Sequence, residues 1–439
     1  MGLTAVRVVR VLAVLTVTAF WCFETPSAHA VSPPEIDDRW LPKPALPAPP
    51  RPSVQRGVCA MAAEDSGTGR DPFANPDLPR VWQLSRGAGQ RVAVIDTGVS
   101  RHRRLPNLLP GGDYVFTGDG TQDCDAHGTL VAGIIAAAPD LDGFSGVAPD
   151  VTLISIRQSS AKFGLASDSS SSGVGDVDTM AAAVRTAADL GSSVINISSV
   201  ACVPVESALD DRALGAALAY AVDVKNAVVV AAAGNTGGTG QCPPQRADAS
   251  WQTTTVAVSP AWYDDLVLTV GSVSTDGAAS AFTLAGPWVD VAATGEGVTS
   301  LGSAPLSGTS FAAPFVSGLA ALLRARFPTL TARQVMQRIE STAHHPPGGW
   351  NPFVGNGAVD VLAAVSTDAN PPGNTAKPPT PVPLSPPPAP RAPDSPGRAT
   401  ALRGATGCLV AVVAVLLMGA TKARLPGRSR ATRDGVSGD

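Results

Sequence analysis

The stretch Leu306–Arg324, LSGTSFAAPFVSGLAALLR, constrains the fold of this chain more than any other. At helical spacing Phe311, Phe315, Val316, Leu319, Leu322 and Leu323 fall around the helix, and the residues between them are mostly Ala, Gly and Ser. A helix that is apolar or small on every side is enclosed by other elements, not laid on a surface. Pro314 reads as a first-turn residue, where a backbone N–H has no partner inside the helix. The turn before the helix carries Ser310. Its hydroxyl then lies beside free N–H groups and the positive end of the helix dipole, a suitable place for a nucleophile whose reaction builds negative charge on oxygen. A serine there is equally an ordinary helix N-cap, so its meaning depends on the rest of the chain.

Between Arg91 and about Val365 short apolar runs alternate with helical stretches. Val92–Ile95, Val151–Ile156, Val194–Ile197 and Val228–Ala232 are bounded by Gly, Asp or Asn. Runs of this kind suit parallel strands buried on both faces. Helix candidates lie at Thr129–Ala138, Val177–Leu190, Ala208–Lys225 and Thr331–Thr342. The alternation argues an α/β fold with a mostly parallel central sheet flanked by helices, a three-layer arrangement. Ser159–Gly175 is rich in Ser and Gly and reads as an exposed, mobile loop.

The flanks have different chemistry. Residues 1–30 read as a secretory signal: Arg7 and Arg10, an apolar run from Val11 to Phe23, then Ala28-His29-Ala30 as the cleavage site. Residues 31–90 form a proline-rich extension, either a removable pro-segment or a strap wrapped over the domain at 91–365. Forty prolines are too many for one compact domain; many of the rest fall in a linker at 366–403, extended and semi-rigid. Gly404–Thr421 is uncharged and mostly apolar, reaching roughly 27 Å as a helix, enough for one membrane crossing. The basic tail 422–439 places the C-terminus in the cytoplasm and the main domain outside. With 36 acidic and 32 basic residues the net charge is −4, which gives no reason to expect a nucleic acid partner.

Asp96 ends the run Val92–Ile95 and is followed by Thr97-Gly98. A carboxylate at the carboxyl end of a central parallel strand lies where α/β ligand sites form. The same D-T-G, with Asp65-Ser66-Gly67, also admits an aspartic protease reading; Asp65 follows no apolar strand, and the two motifs are too close for two lobes. His127, in DAHGT, opens an apolar helix, whereas His29 leaves with the signal and His102, His344 and His345 fall in turns or loops. Asn235 closes Val228–Ala233 in the turn Gly-Asn-Thr-Gly; it is either a turn residue or a side-chain donor to an oxyanion, alongside the Ser310 N–H.

VAVIDTGV, DAHGTLVAGI, AAAGNTG and SGTSFAAPFVSGLAALL together resemble the signature blocks of the subtilisin-like serine proteases, in the family's Asp, His, Ser order. The resemblance implies a subtilisin-like fold over residues 91–365, closed by a strand at Gly355–Asp360. No cofactor or metal is expected from the residues, and calcium binding is left open. It implies that Ser310 attacks a peptide carbonyl, His127 carries the proton, Asp96 orients the imidazole, and Asn235 with the Ser310 N–H binds the oxyanion. One departure stands out. Where many subtilases have Ser-Leu-Gly-Gly lining the cleft, this chain has Ser198-Ser199-Val200-Ala201, then Cys202.

The signal, the extension, Gly146-Val147-Ala148-Pro149, Arg157-Gln158-Ser159-Ser160 and the proline-rich linker before one span are similar to the mycosins, the membrane-anchored subtilases of type VII secretion. That likeness implies an exported protein as substrate, a secretion membrane complex as partner, and a cell-membrane location with one C-terminal span. It also leaves open a structural role in that complex with dispensable protease activity. Of six cysteines, Cys22 lies in the signal and Cys408 in the span. The other four allow three connectivities; the expected pairs are Cys59–Cys124, which would pin the extension beside His127, and Cys202–Cys242. A zinc site is the alternative, though no C-x-x-C is present. Acidic residues show no calcium-loop spacing.

Overall fold

A computed structural model describes residues 31–60, 77–207, 209–238, 241–301 and 303–366. The expected signal, nearly all of the linker, the span and the basic tail lie outside the described residues, as does Asp65. Among the described residues no helix is long and apolar enough to cross a membrane.

The chain begins with strand β1 (Ser53–Gln55) and a short helix α1 (Leu78–Val81), then enters the domain through β2 (Arg91–Asp96), β3 (Leu108–Asp113) and helix α2 (His127–Ala136). It continues through β4 (Thr152–Arg157), β5 (Phe163–Leu165), α3 (Val177–Asp189), β6 (Val194–Ile197), β7 (Ala201–Pro204) and α4 (Arg212–Ala219). Then come β8 (Val228–Ala232), β9 (Val256–Ser259), β10 (Leu268–Val273), β11 (Val291–Thr294), and helices α5 (Thr309–Arg326), α6 (Ala332–Ser341) and α7 (Val361–Ser366).

Seven strands form one sheet in the order β11-β10-β8-β6-β2-β4-β3, every neighbouring pair parallel. The order reverses around β2, whose later neighbours lie on both sides, and ligand sites of open α/β sheets form at the carboxyl ends of strands there. Asp96 is the last residue of β2, Ser198 follows β6, and Asn235 follows β8 closely. Val92 to Ile95, Val194, Ile195, Ile197 and Val228 to Ala231 are fully buried, as strands covered on both faces must be. Helices α2 and α5 pack on each other, and α5 lies along β6, β8, β10 and β11; α3 and α4 form the second packed pair. Helix α5 buries Phe311, Val316, Leu319, Leu322 and Leu323, as its all-round apolar surface requires.

The structure departs from the sequence reading at several places. The helix expected at Ala208–Lys225 starts only at Arg212 and finishes as a π-helical turn, Tyr220–Val224. No strand forms at Gly355–Asp360; Ala358 makes isolated bridges to Ala292 and His344 instead. Ser159–Gly175 is not a free loop. Its β5 pairs antiparallel with β1 of the extension, with Val54 opposite Gly164, and Ser160 and Phe163 are buried.

That pairing is one of several ties holding the extension. The Val31 N–H donates to the Trp251 carbonyl at 2.8 Å, the Arg212 guanidinium stacks over the Trp40 ring at 3.8 Å, and Arg185 donates to the Pro42 carbonyl at 3.1 Å. Cys59 is bonded to Cys124 across 65 residues of sequence, a closure that removes about 4 kcal/mol of chain entropy from the unfolded state. Cys202 is bonded to Cys242, so the four cysteines are oxidised pairs and not a zinc site. Residues 31–60 are thus a strap on the domain surface.

Candidate active site

Asp96 is fully buried at the end of β2. Its Oδ1 accepts the Thr97 N–H at 2.7 Å and meets His127 Nδ1 at 2.7 Å. Because a carboxylate only accepts, Nδ1 carries the proton and Nε2 keeps its lone pair. His127 is the first residue of α2, held tightly against β2. A Cβ on the next residue, Gly128, would lie 2.1 Å from the Gly98 carbonyl and 3.0 Å from the Asp96 Cβ, so only glycine allows this approach. Ala126 at the N-cap has φ 65° and offers no side-chain cap. Asp123 supplies one. Its Oδ2 accepts the Thr129 N–H at 2.8 Å and the Thr129 hydroxyl at 2.6 Å, while Oδ1 accepts from Thr97 Oγ1 at 2.9 Å. Thr97 Oγ1 in turn accepts the Gly128 N–H at 3.0 Å. One carboxylate therefore ties the end of β2 to the start of α2. Asp123 is not among the residues the sequence singles out; its place four residues before the histidine is the one signal of it.

Burial disfavours the charged imidazole of His127, but the charge and hydrogen bond of Asp96, with the charges of Asp123 and Asp125, outweigh it and raise the pKa above its ordinary value. An imidazolium cannot take a proton, so activity is lost as pH falls through that raised pKa. The acid limb of kcat/KM is expected above the usual histidine value of about 6.5. Asp125→Asn removes one negative neighbour while keeping an acceptor for the Ala161 N–H, which lies at 2.9 Å. It should move the limb to lower pH, and an unmoved limb in the pH–rate profile would contradict this electrostatic account.

Helix α5 is capped by Gly308, and Ser310 is its second residue. The serine is thus inside the first turn and is not the N-cap. Its N–H is a first-turn donor with no partner in the helix. Phe311, the next residue, packs its ring 5.3 Å from the His127 ring. Among the described residues no hydrogen bond joins the Ser310 hydroxyl to His127. Pro314 lies deeper than expected. Its nitrogen faces the Ser310 carbonyl, four residues back, so the missing N–H leaves that carbonyl without its helical donor. The Ser198 hydroxyl donates to it instead, at 3.0 Å.

Asn235 stands opposite. Its Oδ1 accepts the Thr309 N–H at 2.9 Å and the Thr309 hydroxyl at 3.1 Å. An N–H can donate only to the oxygen of the amide, which fixes Nδ2 on the other side. Asn235, Ser310, Thr309, Ser198, Val200 and Cys242 line a cavity of about 240 Å³. After Ser198 the chain forms β7, which pairs antiparallel with β9, and the Cys202–Cys242 bond joins it to the loop after Asn235. Among the described residues no cluster of His, Cys, Asp or Glu is able to hold a metal ion.

Residues 87–357 match the family model of the subtilase family, Peptidase_S8. The chain is 65% identical to Mycosin-4 of Mycobacterium tuberculosis, over 100% of both chains. Among solved structures it is similar to MycP1 from the ESX-1 type VII secretion system, with TM-score 0.72 and 42% identity over 78% of this chain and 97% of that one. It is also similar to a chain of an intact ESX-5 inner membrane complex, with TM-score 0.72 and 40% identity over 89% of this chain and 100% of that one.

Proposed function

Because the chain belongs to the subtilase family, and within it to the mycosin-type serine proteases, we propose that it is an endopeptidase that uses Asp96, His127 and Ser310 as its catalytic residues. We place it on the outer face of the cytoplasmic membrane, held there by the span at 404–421, in a type VII secretion complex that includes its protein substrate's export route. Ser310 Oγ attacks the scissile carbonyl carbon as His127 Nε2 takes its proton. Asp96 holds the imidazole in the required tautomer and stabilises the imidazolium. The tetrahedral oxyanion accepts hydrogen bonds from the Ser310 N–H and Asn235 Nδ2. The C–N bond then breaks as Nε2 passes its proton to the departing amine. Water, deprotonated by the same nitrogen, attacks the acyl-enzyme; the acyl C–Oγ bond then breaks, Nε2 returns the proton to Ser310 Oγ, and the carboxylic acid product leaves.

The observation that carries this reading is the 2.7 Å bond from His127 Nδ1 to Asp96, made beside the start of the helix that bears Ser310. A second reading, a structural subunit whose proteolysis is dispensable, is favoured by the similarity to a chain of an intact inner membrane complex. Both readings are tested by comparing a deletion strain with one carrying Ser310→Ala. The exported proteome of the Ser310→Ala strain should contain at least one protein longer than in wild type, while the deletion strain also loses secretion. Identical exported proteins in wild type and Ser310→Ala would reject the peptidase role. Undiminished secretion on deletion would reject the structural one.

A further inference from the structure

We propose that Ser198 is a positioning residue for Ser310, replacing through space the backbone hydrogen bond that Pro314 removes from the nucleophile's own peptide unit. The inference rests on the reading of Ser310 as nucleophile. Proline inside a helix removes an N–H and crowds the carbonyl four residues before it, and here that carbonyl belongs to Ser310. Left alone it would be a part-buried acceptor without its helical donor at the start of the helix, an unfavourable arrangement that a small shift of the chain would relieve. Such a shift would move the Ser310 hydroxyl and N–H together.

The Ser198 hydroxyl prevents it. It donates to the Ser310 carbonyl at 3.0 Å and accepts from Asn196 Nδ2 at 2.9 Å. Asn196 Oδ1 accepts from the Ser317 hydroxyl at 2.8 Å. Asn196 and Ser317 are fully buried and Ser198 is 5% exposed. The network therefore starts and ends on α5 and passes through Asn196 of β6 and Ser198 just beyond it, buried at Asn196 and Ser317 and part-buried where it reaches the Ser310 carbonyl. Each hydroxyl has one proton, and the chain of donors assigns it: Ser317 gives to Asn196, Asn196 to Ser198, and Ser198 to Ser310. Neither hydroxyl has a second proton to give, so Ser317 does not stand in for Ser198 without leaving Asn196. Ser198 also precedes Ser199-Val200-Ala201, the cleft edge. One hydroxyl thus sets the nucleophile's peptide unit relative to the strand edge beside which substrate lies.

The test is steady-state kinetics on a fluorogenic peptide with Ser198→Ala, Ser198→Thr, Pro314→Ala and the Ser198→Ala/Pro314→Ala pair, alongside Ser310→Ala as the inert reference. Ser198→Ala should lower kcat about tenfold, the effect of one lost hydrogen bond on a barrier, with KM changed less than about twofold, because the contact is to the nucleophile and not to substrate. Ser198→Thr keeps the hydroxyl and should retain most of kcat. Pro314→Ala restores an N–H facing the Ser310 carbonyl, so in that background Ser198→Ala should cost little. This non-additivity is the signature of a shared acceptor, and a merely structural role would not produce it. An equal loss from Ser198→Ala in both backgrounds, or a loss confined to KM, overturns the proposal. If Ser198→Ala does not fold, the paired variant decides: folding and activity restored by Pro314→Ala support the proposal, and failure to restore either refutes it. Peptidase activity that persists in Ser310→Ala would overturn the catalytic reading and this inference with it; a dispensable Ser198 beside an essential Ser310 overturns the inference alone.

Discussion

Ser310→Ala is expected to lower kcat by about 10⁶-fold, the loss that subtilisin itself suffers when its serine is removed, and to leave the fold intact. The stability side follows from the surroundings. The hydroxyl makes no hydrogen bond to His127 among the described residues, while the carbonyl of the same residue keeps its bond from Ser198. Removing the hydroxyl thus deletes chemistry without deleting a structural contact. Kinetics on a peptide substrate, with thermal melting as the control, reads both halves. Activity within tenfold of wild type would mean that another group is the nucleophile. A melting point lowered by more than a few degrees would mean that the hydroxyl holds the helix start.

Asn235→Ala is expected to lower kcat by about 10²- to 10³-fold with little change in KM, the range produced by the same loss in subtilisin. The reason is that the oxyanion exists only past the ground state, so its donor acts on the transition state. Alanine also removes the acceptor for the Thr309 N–H and hydroxyl, which confounds catalysis with helix positioning. Asn235→Asp separates them. It keeps an oxygen facing Thr309 and loses the amide donor, so it should fold like wild type and lose at least as much kcat as the alanine variant. An aspartate variant with near-normal kcat would show that Asn235 serves the helix and not the oxyanion.

Much of the fold is legible because the central strands are continuous apolar runs. β2, β6 and β8 are read directly from Val92–Ile95, Val194–Ile197 and Val228–Ala232, and the enclosed helix from its lack of a polar face. β3 is not, because its sequence, LLPGGD, carries a proline and two glycines; it is an edge strand with a register shift between Pro110 and Gly112. Ser159–Gly175 looks like loop because its ordering comes from a partner far away in sequence, Ser53–Gln55, and composition does not encode such a partner. At the site, strand ends and a helix start identify Asp96, His127, Asn235 and Ser310 as candidates. The structure brings Asp96 and His127 into contact and sets Asn235 and Ser310 on one cavity. The supporting residues are less visible. Asp123 and Ser198 each act through another residue's backbone, and Pro314 lies one turn deeper than its sequence suggests because the helix begins at Thr309, after a glycine cap, and the proline then faces Ser310.

The central claim is that Ser310 is a hydroxyl activated by His127. A fluorophosphonate probe tests it directly, since the probe adds covalently only to an activated serine. Labelling followed by peptide mapping should place the adduct on Ser310 in the wild-type protein and show none in His127→Ala. Labelling at a different serine, or equal labelling without the His127 imidazole, would contradict the account.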